Sequence, residues 1–345
     1  MTEQNVIPKE AVIKNSLIGN YQHYIAIDWS ETVMAIARLR EGWNQPKVIE
    51  VPSDITDLKT MLQNLKGKKI LTFEETTSAH WLYVELCDYV DRVLICDPFR
   101  NRLLSDGPKT DKIDSRKLCY LLYGGLLKEV YHTISTLYEY RQLVSAYEDI
   151  VKSGVRLLNQ RSGLHRLLGT DPGKTDNVTT SFIINYLDRG IIWYHTAKED
   201  YEKKFKTLCC HNKQLRNLKT IPGIGEIGAV KILATVIDAH RFPKSGNYLS
   251  YCGLVKLDRI SGKRSYGKKK PRYSRRLKSV YKIAALAAIG GNNPIREYYE
   301  FLINKSISEH NARHAVARYI ARISCGILKS GKEYRPYGWR EKESH

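Results

Sequence analysis

The chain has 345 residues, enough for about two domains of ordinary size. Its composition is 42% hydrophobic, 10% aromatic and 27% charged, which is typical of a globular protein and excludes disordered and collagen-like classes. The seven cysteines include no C-x-x-C pair, which argues against a disulfide scaffold or a cysteine zinc site and favours the cytoplasm. The first residues lack the pattern of a signal peptide, and the apolar run Ile283 to Ile289 is too short to cross a bilayer. We therefore expect neither a secreted nor a membrane protein.

Positive charge is concentrated in the second half of the chain. Lys and Arg number 56 against 36 Asp and Glu, a net charge of +20, and residues 211–345 account for +19 of it. The densest stretch contains ten basic side chains and no acid: Arg259, Lys263, Arg264, Lys268, Lys269, Lys270, Arg272, Arg275, Arg276 and Lys278. One interpretation of such a run is a charged surface that only contacts solvent. Its one-sided concentration favours a polyanionic partner, nucleic acid before membrane.

An α/β domain is predicted for residues 21–133, after a loosely ordered tail at residues 1–20. Apolar and β-branched runs alternate there with segments of helical spacing. Strands are predicted at residues 24–30, 31–40, 48–53, 68–75 and 93–98, and helices at 57–65 and 81–89. This alternation implies a mixed sheet covered by helices.

A helical hairpin is predicted for residues 134–211, where the apolar spacing changes to three and four. The segment GTDPGKTDN, residues 169–177, has the composition of a turn between two long antiparallel helices. We interpret the pair as a coiled coil that also joins chains into a dimer or tetramer. The alternative is a buried helix pair within one compact domain. Residues 212–335 are predicted to be mainly helical and basic, and residues 336–345 to be a tail.

Carboxylates occur at three places in the first domain where they could bind a metal ion. Asp28 ends the first apolar strand, and the adjacent Glu74 and Glu75 end another. Asp111 and Asp114 are three residues apart at the start of a predicted helix, so they share one face. The aspartate pair could instead be a capping box without chemistry. Hard oxygen ligands from two strand ends and one helix are what Mg²⁺ prefers, with Mn²⁺ as a substitute, and this is the layout of a ribonuclease H-like (RuvC-like) fold.

A glycine-rich segment, IPGIGEIGAVKIL, begins the basic half of the chain. Gly223, Gly225 and Gly228 fit the G-x-G-x-x-G spacing of dinucleotide-binding proteins, which requires a preceding strand. The preceding QLRNLKT predicts a basic helix, and Pro222 would break a strand. We therefore favour a helix-hairpin-helix, whose turn offers backbone N–H groups to a DNA phosphate. A purely structural turn is the alternative.

Together these motifs resemble those of the DEDD transposases of the insertion-sequence-110 family, the group of the Piv/MooV invertases and the bridge-RNA-guided recombinases. The resemblance covers roughly residues 22–330. Asp28 in AIDWS and Glu74 in EETT match the first two family carboxylates. Asp111 and Asp114 in KTDKIDSRKL match the second two, and Ser261, before a glycine, falls where the family has its nucleophilic serine.

The resemblance implies a DNA transposase or site-specific recombinase that excises and inserts a mobile element. It also implies Mg²⁺ on the four carboxylates and a non-coding guide RNA that pairs with donor and target double-stranded DNA. Ser261 would attach covalently to DNA, with Ser265 and the tyrosines as rival nucleophiles. Two other functions stay open: a Holliday-junction-type endonuclease that uses the same carboxylates, and a non-catalytic nucleic-acid-binding protein. We expect the protein in a prokaryotic cytoplasm, associated with the nucleoid.

Overall fold

The chain divides into two compact units, Met1–Ile134 and Ser135–His345. The computed structural model describes residues 20–99, 110–169, 177–262, 264–269 and 271–338. The predicted N-terminal tail, Lys263, Lys270 and most of the predicted turn at 169–177 lie outside the described residues.

The first unit contains the strands and helices that the sequence predicts, with ends displaced by a few residues. They are β1 (His23–Trp29), β2 (Val33–Arg40), β3 (Lys47–Pro52), α1 (Ile55–Asn64), β4 (Lys69–Glu74), α2 (Ala79–Leu86), β5 (Arg92–Cys96) and α3 (Asp111–Tyr123). The sheet order is β3-β2-β1-β4-β5. Strand β2 is antiparallel to both β1 and β3, whereas β4 is parallel to both β1 and β5. The predicted mixed sheet is confirmed, and the finer ribonuclease H-like assignment stays a prediction.

Helices cover both faces of this sheet. Successive strand side chains point to opposite faces, and each face carries apolar side chains that the helices bury. Ile25 and Ile27 of β1 pack in one cluster with apolar residues of α1 and α2. Tyr24 and Ala26 belong to the opposite cluster, to which α3 contributes Leu118 and its neighbours. The face that α3 covers is the face on which the candidate carboxylates lie.

The second unit is mostly helical, as predicted. Its elements are α4 (Leu137–Leu168), α5 (Val178–His211), α6 (Lys213–Lys219), α7 (Glu226–Val236), α8 (Ser245–Tyr251), β6 (Leu257–Ser261), β7 (Arg264–Lys269), α9 (Arg275–Gly290), α10 (Pro294–Asn304) and α11 (Glu309–Ser330). The sequence predicts no strands after residue 212, and the β6–β7 hairpin corrects that prediction. This hairpin lies within the densest basic stretch of the chain.

Helices α4 and α5 form the antiparallel pair that the sequence predicts. Near the start of α4, the Tyr147 hydroxyl donates to Glu202 late in α5, at 2.8 Å. Near the end of α4, the Arg161 Nε donates to Asp188 early in α5, at 2.7 Å. Residue numbers thus rise along one helix as they fall along the other. The pairing of chains through this hairpin stays a prediction.

The first part of the hairpin is joined to the core of the second unit through an ion-pair network. Glu148 of α4 accepts a hydrogen bond from Arg276 of α9 at 2.8 Å and forms an ion pair with Lys231 of α7 at 3.2 Å. Burial raises the pKa of Glu148, but the two cations outweigh burial and hold it below its ordinary value of 4.5. The carboxylate is therefore a stabilising group in its charged form.

We predict that Glu148→Gln lowers the free energy of unfolding by about 2 kcal/mol at neutral pH, since Arg276 then loses its charged partner. A group whose pKa is depressed on folding stabilises the protein above its unfolded-state pKa and ceases to do so as the pH falls. The difference between wild type and variant should therefore shrink below pH 4.5, the ordinary value of this carboxyl. Urea unfolding at neutral and at acidic pH measures it.

The control is Asp149→Asn, one residue along the same helix, because Asp149 forms an exposed ion pair with Lys152. We expect this change to cost less than about 0.5 kcal/mol. An effect of Glu148→Gln that is equal at both pH values would contradict the assigned role of the charge.

Candidate functional site

Asp28 and Glu74 occupy neighbouring positions at the carboxyl edge of the sheet. In the parallel pair of β1 and β4, Ala26 lies opposite Thr72, and two further residues along each strand lead to Asp28 and Glu74. Because side chains alternate, Asp28 lies on the same face as Ala26, which α3 covers. Glu74, in the adjacent position, lies on that face as well. Both carboxylates are half-buried.

This edge row, defined as Glu74, Asp28, Ala35 and Glu50, continues across two more strands. Asp28 is paired with Ala35 of β2, and Ala35 is paired with Glu50 of β3. Glu50 forms an ion pair at 2.7 Å with Lys112 in the first turn of α3. Two strand spacings separate Asp28 from Glu50, about 10 Å between their Cα atoms. The ion pair therefore brings the start of α3 to the same row as the two strand carboxylates.

Asp111 and Asp114 belong to the first turns of α3, and neither residue caps the helix. The N-cap is Thr110, whose side chain accepts a hydrogen bond from the backbone N–H of Ile113. The capping-box interpretation of the aspartate pair is therefore wrong. Because Thr110 caps the helix, these two carboxylates are candidates for a ligand-binding or electrostatic role.

The aspartate pair extends the face by which α3 packs on the sheet. Ser115 and Leu118 are buried against the strands, and Asp111 and Asp114 precede them by four residues each, one helical turn. Asp111 is exposed and Asp114 half-buried. This is where a packed face ends and meets solvent.

The donor chemistry of these four carboxylates fits Mg²⁺, which binds few protein carboxylates and keeps several waters. Among the residues that the structure describes, no three His, Cys, Asp or Glu side chains form a group that could hold a metal ion. The structure thus aligns Asp28 and Glu74 and places Asp111 and Asp114 at the adjoining helix end. It does not bring the four into one ligand set.

Glu75, the alternative to Glu74, has a different partner. Its Oε2 lies 2.9 Å from Nε2 of His132, whose side chain is only 2% exposed. The ring of His80 stacks on His132, with 6.0 Å between ring centroids. Glu75 is therefore held by a histidine, which leaves Glu74 in the edge row. The sequence does not predict this pair, because its two members are 57 residues apart and no spacing links them.

The glycine-rich turn lies between α6 and α7. A helix, Lys213–Lys219, precedes the glycines where a dinucleotide-binding motif requires a strand. Gly223 has φ +88°, and a Cβ at this position would lie 2.2 Å from the carbonyl oxygen of Ala284 in α9. Gly225 is the N-cap of α7 and has no such neighbour. Gly223 is thus required by packing, and phosphate binding at this turn stays a prediction.

We predict that Gly223→Ala destabilises the protein by at least about 2 kcal/mol, from the left-handed backbone and the collision with α9. Gly225→Ala is the matched control. Its φ of −88° suits any residue, and it should cost about 1 kcal/mol as a weaker helix cap. Thermal or urea unfolding of both variants measures the difference. Equal stabilities would contradict the close approach of α9.

Ser261 lies at the exposed end of the β6–β7 hairpin. It is paired with Arg264 across the hairpin, and Gly262, with φ +59°, begins the connection between the strands. All residues of both strands are exposed, including the basic Arg259, Lys268 and Lys269.

The rest of the predicted basic segment continues into α9. Arg272 and Arg275 are exposed. Arg276 is bound to Glu148 within its own unit, and the Lys278 ammonium lies 4.6 Å from the ring centroid of Tyr273. The hairpin and the exposed arginines therefore form the accessible part of the basic stretch. No helix in the described part of the chain has the length and apolar character needed to span a bilayer.

Residues 215–300 match the family model described as the IS116/IS110/IS902 family of transposases. The matched range contains the glycine-rich turn, the basic hairpin and Ser261. Together with the relatives described next, this match confirms the predicted resemblance to the insertion-sequence-110 transposases.

The chain is similar to three proteins of insertion elements. It is 25% identical over 157 residues to the IS110 uncharacterized 43.6 kDa protein of Streptomyces coelicolor, covering 45% of this chain and 39% of the relative. It is 26% identical over 120 residues to the IS116 uncharacterized 44.8 kDa protein of Streptomyces clavuligerus, covering 34% and 30%. It is 30% identical over 80 residues to the transposase for insertion sequence element IS1111A of Coxiella burnetii, covering 23% and 22%. Each match spans less than half the length of the relative.

Proposed function

We propose that the chain is the transposase of a mobile insertion sequence, a recombinase that cuts and rejoins double-stranded donor and target DNA. The proposal rests mainly on the match of residues 215–300 to insertion-sequence transposases. That segment exposes a basic hairpin with Ser261 at its end. The edge row of the first unit adds the carboxylates that phosphodiester chemistry requires.

The proposed metal ligands are Asp28, Glu74, Asp111 and Asp114, with Mg²⁺ as the resident ion and Mn²⁺ as a substitute. When bound, the ion supplies positive charge at the phosphate and acidifies an oxygen nucleophile. The sheet holds Asp28 and Glu74 in register, because displacing either strand would disrupt two packed clusters. The ion pair of Lys112 with Glu50 keeps the start of α3 over that edge.

Ser261 is the proposed nucleophile. Its Oγ forms a bond to phosphorus while the bond from phosphorus to one deoxyribose oxygen breaks. The serine proton is released, and the departing oxygen takes one up, so that no net charge is created. Rejoining is the reverse reaction with a different DNA end. The exposed hydroxyl lies among cations that stabilise the added charge on the phosphate.

Target choice is proposed to come from a non-coding RNA that pairs with both DNAs, as base pairing selects targets in other guided systems. The net charge of +19 in residues 211–345 suits a protein that binds several nucleic-acid backbones without reading bases. We propose that the protein acts at the nucleoid, in the cytoplasm of a prokaryote.

A homo-oligomer, a dimer or tetramer, is proposed to form through the α4–α5 hairpin. Large apolar side chains of α5 face solvent: Phe182 is 62% exposed, Ile192 66% and Trp193 58%. Exposed apolar surface of this kind on a long helix is typical of a protein–protein contact.

The proposed function is tested by trapping a covalent adduct on a nicked suicide substrate in the presence of Mg²⁺ and mapping the modified residue. We expect the wild type to form an adduct at Ser261, and Ser261→Ala to form none. Asp28→Asn should form none while it still binds the DNA, because its fold and its basic unit are intact. Ser265→Ala is the matched control, an exposed serine of the same hairpin that should keep full activity.

Three results would overturn the proposal. Cleavage without any adduct would favour the junction endonuclease, in which the same carboxylates activate water. Binding by the wild type without cleavage would favour a non-catalytic nucleic-acid-binding protein. An adduct at Ser265 or at a tyrosine would remove Ser261 from its role.

A further inference from the structure

Ser261 shares one face of the hairpin with an arginine and a tyrosine. Residues directly opposite each other in an antiparallel pair point to the same face, with Cβ atoms about 5 Å apart, and Arg264 is opposite Ser261. Tyr266 is two residues further along β7 and so lies on that face too. The Arg264 guanidinium carbon lies 5.9 Å from the centroid of the Tyr266 ring. The serine hydroxyl therefore has a guanidinium beside it.

The surroundings of this face suit an anion. All side chains of both strands are exposed, and Tyr266 is 59% exposed although it is aromatic. Asp258 is the single acid in residues 257–269, and Lys268 lies 4.0 Å from it at the opposite end of the hairpin. The planar guanidinium of arginine donates two parallel hydrogen bonds to phosphate oxygens, which a lysine ammonium cannot do.

We propose that Arg264 is a catalytic residue that binds the non-bridging oxygens of the phosphate attacked by Ser261, and that Tyr266 positions its guanidinium. This inference rests on the proposed function of Ser261. Charge builds on these oxygens as the Oγ–phosphorus bond forms and the bond to the deoxyribose oxygen breaks. The serine proton is released and the leaving oxygen gains one, while Arg264 stays protonated throughout.

The position of Arg264 distinguishes it from the other cations of the hairpin. Lys269 lies at the far end of the hairpin, opposite Leu257 and beyond the register shift that separates it from the Ser261–Arg264 pair. It can bind a phosphate of the same DNA but not the one next to Ser261. Arg264 is therefore the cation expected to affect the rate of the chemical step, beyond the affinity that each phosphate contact of the hairpin contributes.

The test measures single-turnover adduct formation on the suicide substrate. Arg264→Ala should lower the rate by about 10²- to 10³-fold, the usual effect of losing one preorganised donor to a developing oxyanion. Its DNA affinity should fall by no more than the loss of one phosphate contact, a salt slope lower by about 0.9, and Arg264→Lys should recover part of the rate. Ser265→Ala, the matched control on the same strand, should keep the wild-type rate, and Lys269→Ala should reduce the log–log salt slope of binding by about 0.9.

A second substrate separates a chemical from a structural role. A methylphosphonate at the scissile position removes the negative charge that Arg264 binds, so this substrate should bring the rate of Arg264→Ala close to that of the wild type. Tyr266→Phe should keep both rate and adduct, since the ring is retained, whereas Tyr266→Ala should slow the reaction.

Each contrary result has a distinct meaning. If the wild type forms adducts and Arg264→Ala forms them equally fast, the inference is wrong while the proposed function stands. If Arg264→Ala is equally slow on both substrates, its effect is structural and the inference is again wrong. Loss of the adduct in Tyr266→Phe would assign the chemistry to the tyrosine hydroxyl. A wild type without adduct would remove the proposed function and the inference together.

Discussion

The parallel alignment of β1 with β4 is the constraint on which the candidate site depends. Parallel strands end at the same edge of a sheet, so Asp28 and Glu74 come to adjacent positions although 45 residues lie between them in the chain. A shift of one residue would turn every side chain of β4 to the other face and replace Glu74 by Glu75. The two packed clusters oppose that shift, because Leu71 and Phe73 would leave one cluster and Ile70 the other.

The second unit depends on a different constraint, the close packing of helices around the buried α7. Gly223 allows α9 to approach the turn before α7, and Glu148 links α4 to both α7 and α9. These interactions lie inside the second unit. The β6–β7 hairpin, in contrast, exposes all its side chains, including its basic residues, to solvent. Arg276 shows the division: it belongs to the basic stretch by sequence, but it stabilises the interior of the unit. The basic stretch is thus partly internal structure and partly accessible charged surface.

Local pattern explains what the sequence could predict. Alternation in strands such as KILTFE and the 3–4 spacing of the long helices predict element type. Strand order, however, is a long-range property. The adjacency of Asp28 and Glu74 therefore follows from the family resemblance or the structure, and not from spacing. The interpretation of Asp111 and Asp114 as a capping box is wrong because Thr110, one residue earlier, caps the helix. The partner of Arg276 could not be predicted, since Glu148 lies 128 residues away.

The most direct test of the edge row is a titration of the protein with Mn²⁺, followed by electron paramagnetic resonance. We predict that Asp28→Asn and Glu74→Gln each weaken Mn²⁺ binding by about tenfold or more, since each removes a charged oxygen ligand. Glu75→Gln should bind Mn²⁺ like the wild type, because Glu75 is held by His132. Loss of binding in Glu75→Gln, with wild-type binding in Glu74→Gln, would contradict the register-based assignment of the metal ligands.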